Sequence, residues 1–233
     1  MKSEFLKMLY HRWILPVSLF IPPFTAGMAS LLRISGMTGE TLVITKCLQS
    51  IYLTQNFFAL LAVLYFGEEW KRASLRTGLL CQPARMRFYL TKMGCLFIWI
   101  TIVLSMMTGA CALTAGFLSG NGGICPWNVI ISTLPASLSL AEITMMTAAL
   151  TVIFRSGPIA LAGIISMLMG VGHLFLQFED FARCLPGIAA MNAFYLKEIP
   201  GFLSRPLGLA VQGIWCAVAM AVAGILFCRR SVR

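Results

Sequence analysis

The chain has 233 residues, of which 59% are hydrophobic and only 11% are charged, and its formal net charge is +10. Soluble domains carry about a quarter charged residues, so this composition excludes a water-soluble globular protein. The basic residues lie at the ends of long apolar runs rather than on one polar face, which argues against a nucleic-acid-binding protein and predicts a multi-pass membrane protein.

The first twelve residues (1–12) predict a short amphipathic helix at the membrane surface. Four apolar side chains of the stretch KSEFLKMLYH fall on one side of a helical wheel: Phe5, Leu6, Leu9 and Tyr10. An apolar stripe of this kind, with basic residues mostly elsewhere, is typical of helices that lie in the plane of the interface.

Six apolar segments reach the roughly 20 residues that a helix needs to cross the hydrocarbon core. They cover about 13–32, 47–66, 93–118, 128–154, 159–177 and 207–228. Pro16, Pro22 and Pro23 fall in the first segment and predict a kink or a break there. Only four residues separate the fourth segment from the fifth, which predicts a tight turn and an antiparallel pair. We therefore expect an all-α polytopic protein with a single transmembrane domain over residues 1–233.

The distribution of Lys and Arg predicts that both ends of the chain face the cytoplasm. With the N-terminus inside, thirteen basic residues fall in inner segments and five in outer ones. The outer five are Arg33, Lys46, Arg183, Lys197 and Arg205. Because an excess of Lys and Arg marks the cytoplasmic side, this orientation is favoured over its inverse, and it places the protein in the cell membrane.

The longest outer connection, 178–206, contains the stretch LPGIAAMNAFYL. This stretch is too apolar to be freely solvated and too short to cross, so it predicts an apolar outer hairpin that is re-entrant or interfacial. Cys125 and Cys184 both fall in outer connections, where a disulfide is an open alternative that their spacing does not require. The chain has no C-x-x-C pair and no Cys/His cluster, so no metal site is predicted.

The inner connection 67–92, GEEWKRASLRTGLLCQPARMRFYLTK, holds eight of the 26 charged residues. From Glu68 onward the pattern predicts a short helix that ends near Pro83. Glu68, Arg72 and Arg76 stand four residues apart on one face of this helix. The first pair has the favourable i,i+4 order, whereas the two Arg repel each other weakly.

Leu75 and Leu79 form an apolar stripe beside these charges. A short helix with both features predicts docking into a groove that carries acidic groups. Charge alone equally favours the alternative that the basic residues contact anionic lipid heads and fix the topology.

The sequence of this segment resembles that of the cytosolic loop between the second and third spans of ABC-2-type transporter permeases. The resemblance lies in an acidic residue before an aromatic one, a small pair, Leu-Arg-Thr, a Leu pair, a Gln-Pro turn, a basic pair and a Lys that opens the next span. In this chain these are Glu69-Trp70, Ala73-Ser74, Leu75-Arg76-Thr77, Leu79-Leu80, Gln82-Pro83, Arg85 with Arg87, and Lys92. The order of interfacial helix, six spans, tight turn and outer hairpin is similar to that family as well.

The resemblance implies that this loop is a coupling helix held in a cleft of a separate ABC-type ATPase subunit. It also implies a non-enzymatic exporter subunit that works with a second permease, identical or paralogous, on a hydrophobic or amphipathic substrate such as an antimicrobial peptide or a drug. Together with the helical pattern it gives these ATPase-coupling residues: Glu68, Glu69, Arg72, Leu75, Arg76, Thr77, Leu79 and Pro83. The chain lacks G-x-x-x-x-G-K-[ST], so ATP and Mg are expected on the partner and no cofactor on this chain.

Three polar residues inside predicted spans are candidates for a substrate path or a gate: Glu142, Gln55 and Asn56. A carboxylate near the middle of a bilayer costs at least a few kcal/mol, and such residues usually face a bundle interior or a polar pathway. A protonated or structurally paired Glu142 remains an alternative, as does polar bridging between helices for the two amides.

Two other classes remain as alternatives. An intramembrane protease is suggested by a partial likeness of Glu68-Glu69 with Arg72 and of His173 to the motifs of CAAX-protease-like enzymes. In that comparison the Arg comes one residue early, Gln177 stands where Asn is needed, and the predicted topology separates the two motifs. A channel or scaffold without an ATPase is the other class, and the charged loop distinguishes it from a transporter subunit.

Overall fold

The computed structural model describes residues 2–34, 39–71, 84–119, 125–171 and 183–229. Over these ranges the chain is predominantly helical and contains no strand. The helices are α1 (Lys2–Leu9), α2 (Ile14–Leu31), α3 (Gly39–Lys71), α4 (Arg85–Ser119), α5 (Pro126–Phe154), α6 (Gly157–Ser166) and α7 (Arg205–Arg229). A π-helical turn (Met167–Val171) continues α6, and a short 3-10 helix (Met191–Phe194) precedes α7.

Five of these helices are long and apolar enough to cross a membrane: α2, α3, α4, α5 and α7. This confirms the prediction of an all-helical, membrane-embedded multi-pass protein. The fifth predicted span, 159–177, corresponds to α6 and its continuation, which form a shorter apolar helix over Gly157–Met169. Residues 172–177 lie outside the described ranges, so a sixth crossing stays a prediction.

Helices α3 and α4 extend well beyond their apolar runs. They contain 33 and 35 residues, and at 1.5 Å per residue each is about 50 Å long, against about 30 Å for a hydrocarbon core. Part of this extra length lies on either side of the charged connection, where α3 ends at Lys71 and α4 begins at Arg85, and α3 also begins before its apolar run, at Gly39. Both ends of the charged connection are therefore continuous with a helix long enough to span the membrane.

The break predicted at the prolines of α2 does not occur. Pro22 and Pro23 lie inside one continuous helix of 18 residues. A proline removes one backbone donor without removing side-chain packing, and α2 packs along both α3 and α4. Trp99 of α4 donates a hydrogen bond from Nε1 to Oγ of Ser18 at 2.9 Å, which fixes α2 just before the prolines.

Helix α5 is the centre of the bundle and packs against α3, α4, α6 and α7. In the most apolar 18-residue stretch of α5, 72% of the residues are buried, whereas in the corresponding stretch of α7 only 22% are buried. Its buried threonines satisfy their own hydroxyls by donating to backbone carbonyls one turn earlier, as Thr144 does to Leu140 at 2.6 Å and Thr147 to Ile143 at 2.7 Å. Hydroxyls paired in this way place no unpaired polar group in the core.

The connection from α5 to α6 is a tight turn that packs directly on α3. Arg155 takes the left-handed conformation with φ 53° and ends α5, and α6 begins two residues later. Gly157 lies so close to α3 that a Cβ atom there would stand 2.7 Å from Cγ1 of Val63. It also faces Gly67, whose own Cβ position would be 3.6 Å from the Gly157 Cα atom. Two glycines thus allow backbone contact between the turn and α3.

The N-terminal helix α1 divides its apolar residues between two sides. Met8 is fully buried, and the ring of Phe5 packs on Trp99 with 5.4 Å between centroids. Leu6, Leu9 and Tyr10 remain 50%, 40% and 82% exposed, so the predicted single stripe of four residues is split.

Glu4 of the same helix departs from the helical wheel. It lies outside the predicted apolar stripe, yet it is only 8% exposed. It accepts hydrogen bonds from Lys7 at 2.6 Å and from the Tyr65 hydroxyl at 3.4 Å. These two partners explain why a carboxylate is tolerated on the inward side of α1.

The segment that precedes α7 packs into the bundle between α3, α5 and α7. Residues 188–194 are all buried, and Gly208 of α7 lies so close that a Cβ there would stand 2.0 Å from the Ala189 carbonyl oxygen. Cys125 and Cys184 are both free thiols, so the open alternative of a disulfide between them is not realised.

Candidate functional site

Six of the residues predicted to couple to an ATPase lie outside the described ranges: Arg72, Leu75, Arg76, Thr77, Leu79 and Pro83. The other two, Glu68 and Glu69, belong to the last turns of α3 rather than to a separate loop helix. The structure describes the two helix ends that flank this connection, the end of α3 and the start of α4.

Lys92 joins these two ends at the end of the bundle where α1 lies. It lies in α4, is only 2% exposed, and places its ammonium nitrogen over three aromatic rings. The distances to the ring centroids are 4.5 Å for Tyr65, 5.1 Å for Phe66 and 5.9 Å for Phe88. Tyr65 also donates to Glu4, so α1, the end of α3 and the start of α4 meet in one cluster. Cation–π attraction of this kind is strongest where water is excluded.

Glu142 lies near the middle of α5 and faces α7. A Cβ atom added at Gly213 of α7 would stand 3.2 Å from Glu142 Oε1, so the glycine provides the space for the carboxyl group. The other oxygen, Oε2, is buried and has no hydrogen-bond partner among the described residues. Within those residues the one ion pair is Lys7–Glu4, so no cation is paired with Glu142.

One helical turn away, the same interface between α5 and α7 carries a fully paired polar contact. The Gln212 side-chain amide donates to the Ser139 carbonyl at 2.9 Å and accepts from the Ser139 hydroxyl at 3.2 Å. Both residues are completely buried. Neither residue is among the predicted site residues, although a Gln inside the last apolar run is a signal that the sequence contains.

Gln55 and Asn56 of α3 carry the other incompletely paired groups. Gln55 is 1% exposed, and its Nε2 has no hydrogen-bond partner in the described part of the chain. The Nδ2 of Asn56 lies 3.8 Å from the Met169 sulfur, while its buried Oδ1 has no partner there. An unmade hydrogen bond of a buried group costs roughly 1–3 kcal/mol.

The unpaired atoms lie at one depth in the bundle. Asn128 at the start of α5 donates to Glu40 at the start of α3 at 2.9 Å, which fixes the register of the two helices. Gln55 follows Glu40 by 15 residues and Glu142 follows Asn128 by 14 residues, so along these helices their depths differ by only about 1.5 Å.

Across the described ranges, just three buried side-chain atoms lack a partner: Gln55 Nε2, Asn56 Oδ1 and Glu142 Oε2. We call these three residues the polar layer. The structure places Glu142 on the α7 side of the bundle and Asn56 on the α6 side, so they share a depth rather than one pocket.

The described residues bring together no group of three or more His, Cys, Asp or Glu side chains suited to hold a metal ion. The polar layer combines one carboxyl group, one unpaired donor and one amide oxygen. Such groups can donate hydrogen bonds to, or accept them from, a polar group of a substrate. They do not form the nucleophile–base arrangement that covalent catalysis needs.

Comparison with known proteins gives no family for this chain. No protein-family model matches it, and a search of curated proteins found no match. The features of this chain that indicate a function are therefore the sequence of the connection 67–92 and the polar layer.

Proposed function

We propose that this chain is the membrane-spanning permease subunit of an ATP-driven exporter of the ABC-2 type. It moves a hydrophobic or amphipathic substrate, such as an antimicrobial peptide or a drug, out of the cell or out of the bilayer. It has six spans with both ends in the cytoplasm of the plasma membrane. It pairs with a second permease, and a separate ABC-type ATPase binds ATP and Mg.

The observation that carries the proposal is the polar layer. A scaffold protein gains nothing from burying an amide and a carboxyl group whose atoms lack partners, because each lowers stability. A path through an apolar bundle needs polar groups of this kind at mid-depth, where they exchange hydrogen bonds with the substrate. This favours a transport subunit over a scaffold.

The inner cluster around Lys92 supports the coupling part of the proposal. Helix α3 runs without interruption from Glu69 to the level of Gln55, which is about 21 Å along one helix. Lys92 ties the end of α3 to the start of α4, so a force on the connection acts on both helices together. Helix α3 packs along α5, and its movement changes the surroundings of Glu142.

The test of the coupling assignment is whether an ABC-type ATPase subunit co-purifies with this chain. We expect the double variant Arg72→Glu/Arg76→Glu to lose the ATPase, because the helix face that carries these charges is reversed. The matched control is Arg87→Glu/Arg229→Glu, which reverses two exposed charges outside the predicted coupling helix and should retain it. An ATPase that stays bound and active with the first variant would contradict the assignment.

The orientation has a separate test. Cys125 is exposed at the start of α5, and Cys81 falls in the inner connection. In intact cells a membrane-impermeant maleimide should label Cys125 in a variant that keeps this thiol alone, and should leave a Cys81-only variant unlabelled until the cells are opened. Labelling of Cys81 in intact cells would invert the orientation.

A further inference from the structure

A cleft of about 280 Å³ opens at the end of the bundle opposite α1. The end of α2, the first half of α3 and the segment before α7 form its walls. Its lining residues are Leu32, Gln49, Tyr52, Leu53, Phe194 and Tyr195. None of the residues proposed for export lines it, so whatever it binds is additional to that proposal.

The floor of the cleft is apolar and aromatic. The rings of Tyr52 and Phe194 meet edge to face with 5.4 Å between centroids. The volume is about twice the ~150 Å³ cavity that accepts benzene, which leaves room for about a dozen carbon atoms of a chain. Leu53 is 39% exposed at the margin, so the cleft opens sideways.

The wall before α7 is held in place by a dense set of hydrogen bonds. The Asn192 side chain is 1% exposed, donates to the Leu203 carbonyl at 2.9 Å and accepts from the Ile199 backbone N–H at 2.9 Å. The Arg205 guanidinium donates to the carbonyls of Asn192 at 3.2 Å and Tyr195 at 2.7 Å. The cleft is therefore formed before any ligand enters.

Each of the three chain segments around the cleft brings a cation next to a lining residue. Arg33 follows Leu32, Lys46 precedes Gln49 by one helical turn, and Lys197 comes two residues after Tyr195. The described part of the chain shows no ion pair for any of these three, which we call the rim cations: Arg33, Lys46 and Lys197.

The nearest described carboxylates on these segments already have partners. Glu40 accepts from Asn128 at 2.9 Å, and Glu198 accepts from the Arg205 backbone N–H at 3.1 Å. Hydrogen bonds from these neutral donors leave both carboxylates charged, so in the described part of the three segments the rim cations outnumber the acids by three to two and the net charge is positive. An anion with an apolar tail complements this arrangement, because its charge meets the rim and its tail fills the cleft.

The depth of the cleft points to a lipid. Leu32 and Gln49 lie where the apolar runs 13–32 and 47–66 meet the outer end of the bundle. A phospholipid in the adjacent leaflet has its phosphate at the height of the rim and its chain at the height of the cleft.

We propose that this cleft is a binding site for an anionic phospholipid, whose phosphate lies among the rim cations and whose acyl chain occupies the space beside Tyr52 and Leu53.

The test is site-specific photo-crosslinking of the full-length protein in vesicles of phosphatidylcholine with a minor share of phosphatidylglycerol. A benzoylphenylalanine replaces Leu53 in one protein and Leu138 in another. Leu138 is 50% exposed on α5 and does not line the cleft, so it reports bulk lipid. Mass spectrometry of the adducts then gives the ratio of the two lipids at each position.

At position 53 we expect phosphatidylglycerol adducts to exceed its share of the bilayer, and at position 138 we expect the bilayer ratio. Changing Arg33, Lys46 and Lys197 to Gln should lower the enrichment at 53 by about fivefold for each cation removed. The matched control changes the exposed Arg12, Arg87 and Arg229 to Gln and should leave it unchanged.

Three outcomes would overturn the proposal. The first is a bilayer ratio at position 53, and the second is an equal loss in the control triple variant, which would indicate a general surface potential. The third is loss of the adduct on addition of inorganic phosphate, which would show that the rim takes a free anion. Adduct formation at position 138 checks that each variant is folded and inserted.

Discussion

Two buried polar regions of this bundle differ in how completely their groups are paired. In the inner cluster, Glu4 has two hydrogen-bond donors and the Lys92 ammonium lies against three aromatic rings. In the polar layer, Gln55 and Glu142 each keep a buried atom without a partner among the described residues. Both regions are buried, and the degree of pairing is what distinguishes them.

The comparison makes opposite predictions for substitutions in the two regions. Where the groups are paired, changes should lower stability and affect transport only through stability. Where they are unpaired, changes should preserve stability and alter transport directly. The following variants test this from the largest expected effect to the smallest.

The largest loss is expected for Lys92→Glu. The change places a carboxylate against the negative faces of three aromatic rings and removes the cation, which leaves an uncompensated buried charge. We expect a loss of about 3–5 kcal/mol in unfolding free energy, measured by denaturation in mixed micelles. Arg87→Glu, an exposed change of the same sign in the same helix, should lose less than about 0.5 kcal/mol. Equal losses of stability in both variants would show that the position of Lys92 among the three rings does not cause the effect.

A smaller loss is expected for Gln212→Met at the interface between α5 and α7. The substitution keeps the approximate volume but leaves the Ser139 hydroxyl and carbonyl without their partner. A buried group deprived of its hydrogen bond costs roughly 1–3 kcal/mol, and the same denaturation assay measures it. The companion variant Ser139→Ala/Gln212→Met should recover part of the loss, and failure to do so would contradict the pairing.

Glu142→Gln should leave stability nearly unchanged and lower transport. It removes a carboxyl group that has no cation within the described residues, so stability should stay within about 0.5 kcal/mol of the parent or rise. Substrate efflux from proteoliposomes that contain the ATPase should fall about tenfold or more, since the polar layer loses its one carboxyl group. Unchanged efflux with intact ATPase binding would remove Glu142 from the substrate path.

The smallest effect is expected for Tyr65→Phe. The hydrogen bond from Tyr65 to Glu4 is long at 3.4 Å, and Lys7 still pairs with Glu4 at 2.6 Å when the hydroxyl is removed. The aromatic ring under Lys92 is retained. We expect a loss of about 0.5–1 kcal/mol, and a loss above that range would show that the hydroxyl has a further role in the cluster.

Much of the helical architecture could be predicted from the sequence, because lipid-length apolar runs leave few alternatives. The ends of α3 and α4 were less accessible. Hydropathy changes at Gly67 and before Met93, whereas helical hydrogen bonding continues to Lys71 and begins at Arg85. An apolar run measures contact with hydrocarbon and not the length of the helix. The prolines of α2 do not break the helix, because α2 packs along both α3 and α4 and these contacts do not depend on the missing backbone donors.

The candidate site could also be predicted from the sequence only in part. Glu142, Gln55 and Asn56 were visible in the sequence as polar residues within apolar runs. Their common depth was not visible, because it follows from the register that Asn128 and Glu40 set between two helices. Lys92 stood out as a basic residue beside a span, yet its aromatic surroundings come from residues 26 and 27 positions earlier. Pairing across helices is a tertiary property that a single-helix wheel does not contain.

The glycine contact between α3 and the turn after α5 has a mechanical consequence. Because neither Gly67 nor Gly157 has a side chain, the two backbones meet at one narrow point, about which a stiff helix would pivot when pushed from one end. Lys71 lies four residues to one side of it and Gln55 twelve residues to the other, arms of about 6 Å and about 18 Å. If α3 pivots there as a rigid helix, a displacement at Lys71 becomes about three times larger, and opposite in direction, at Gln55.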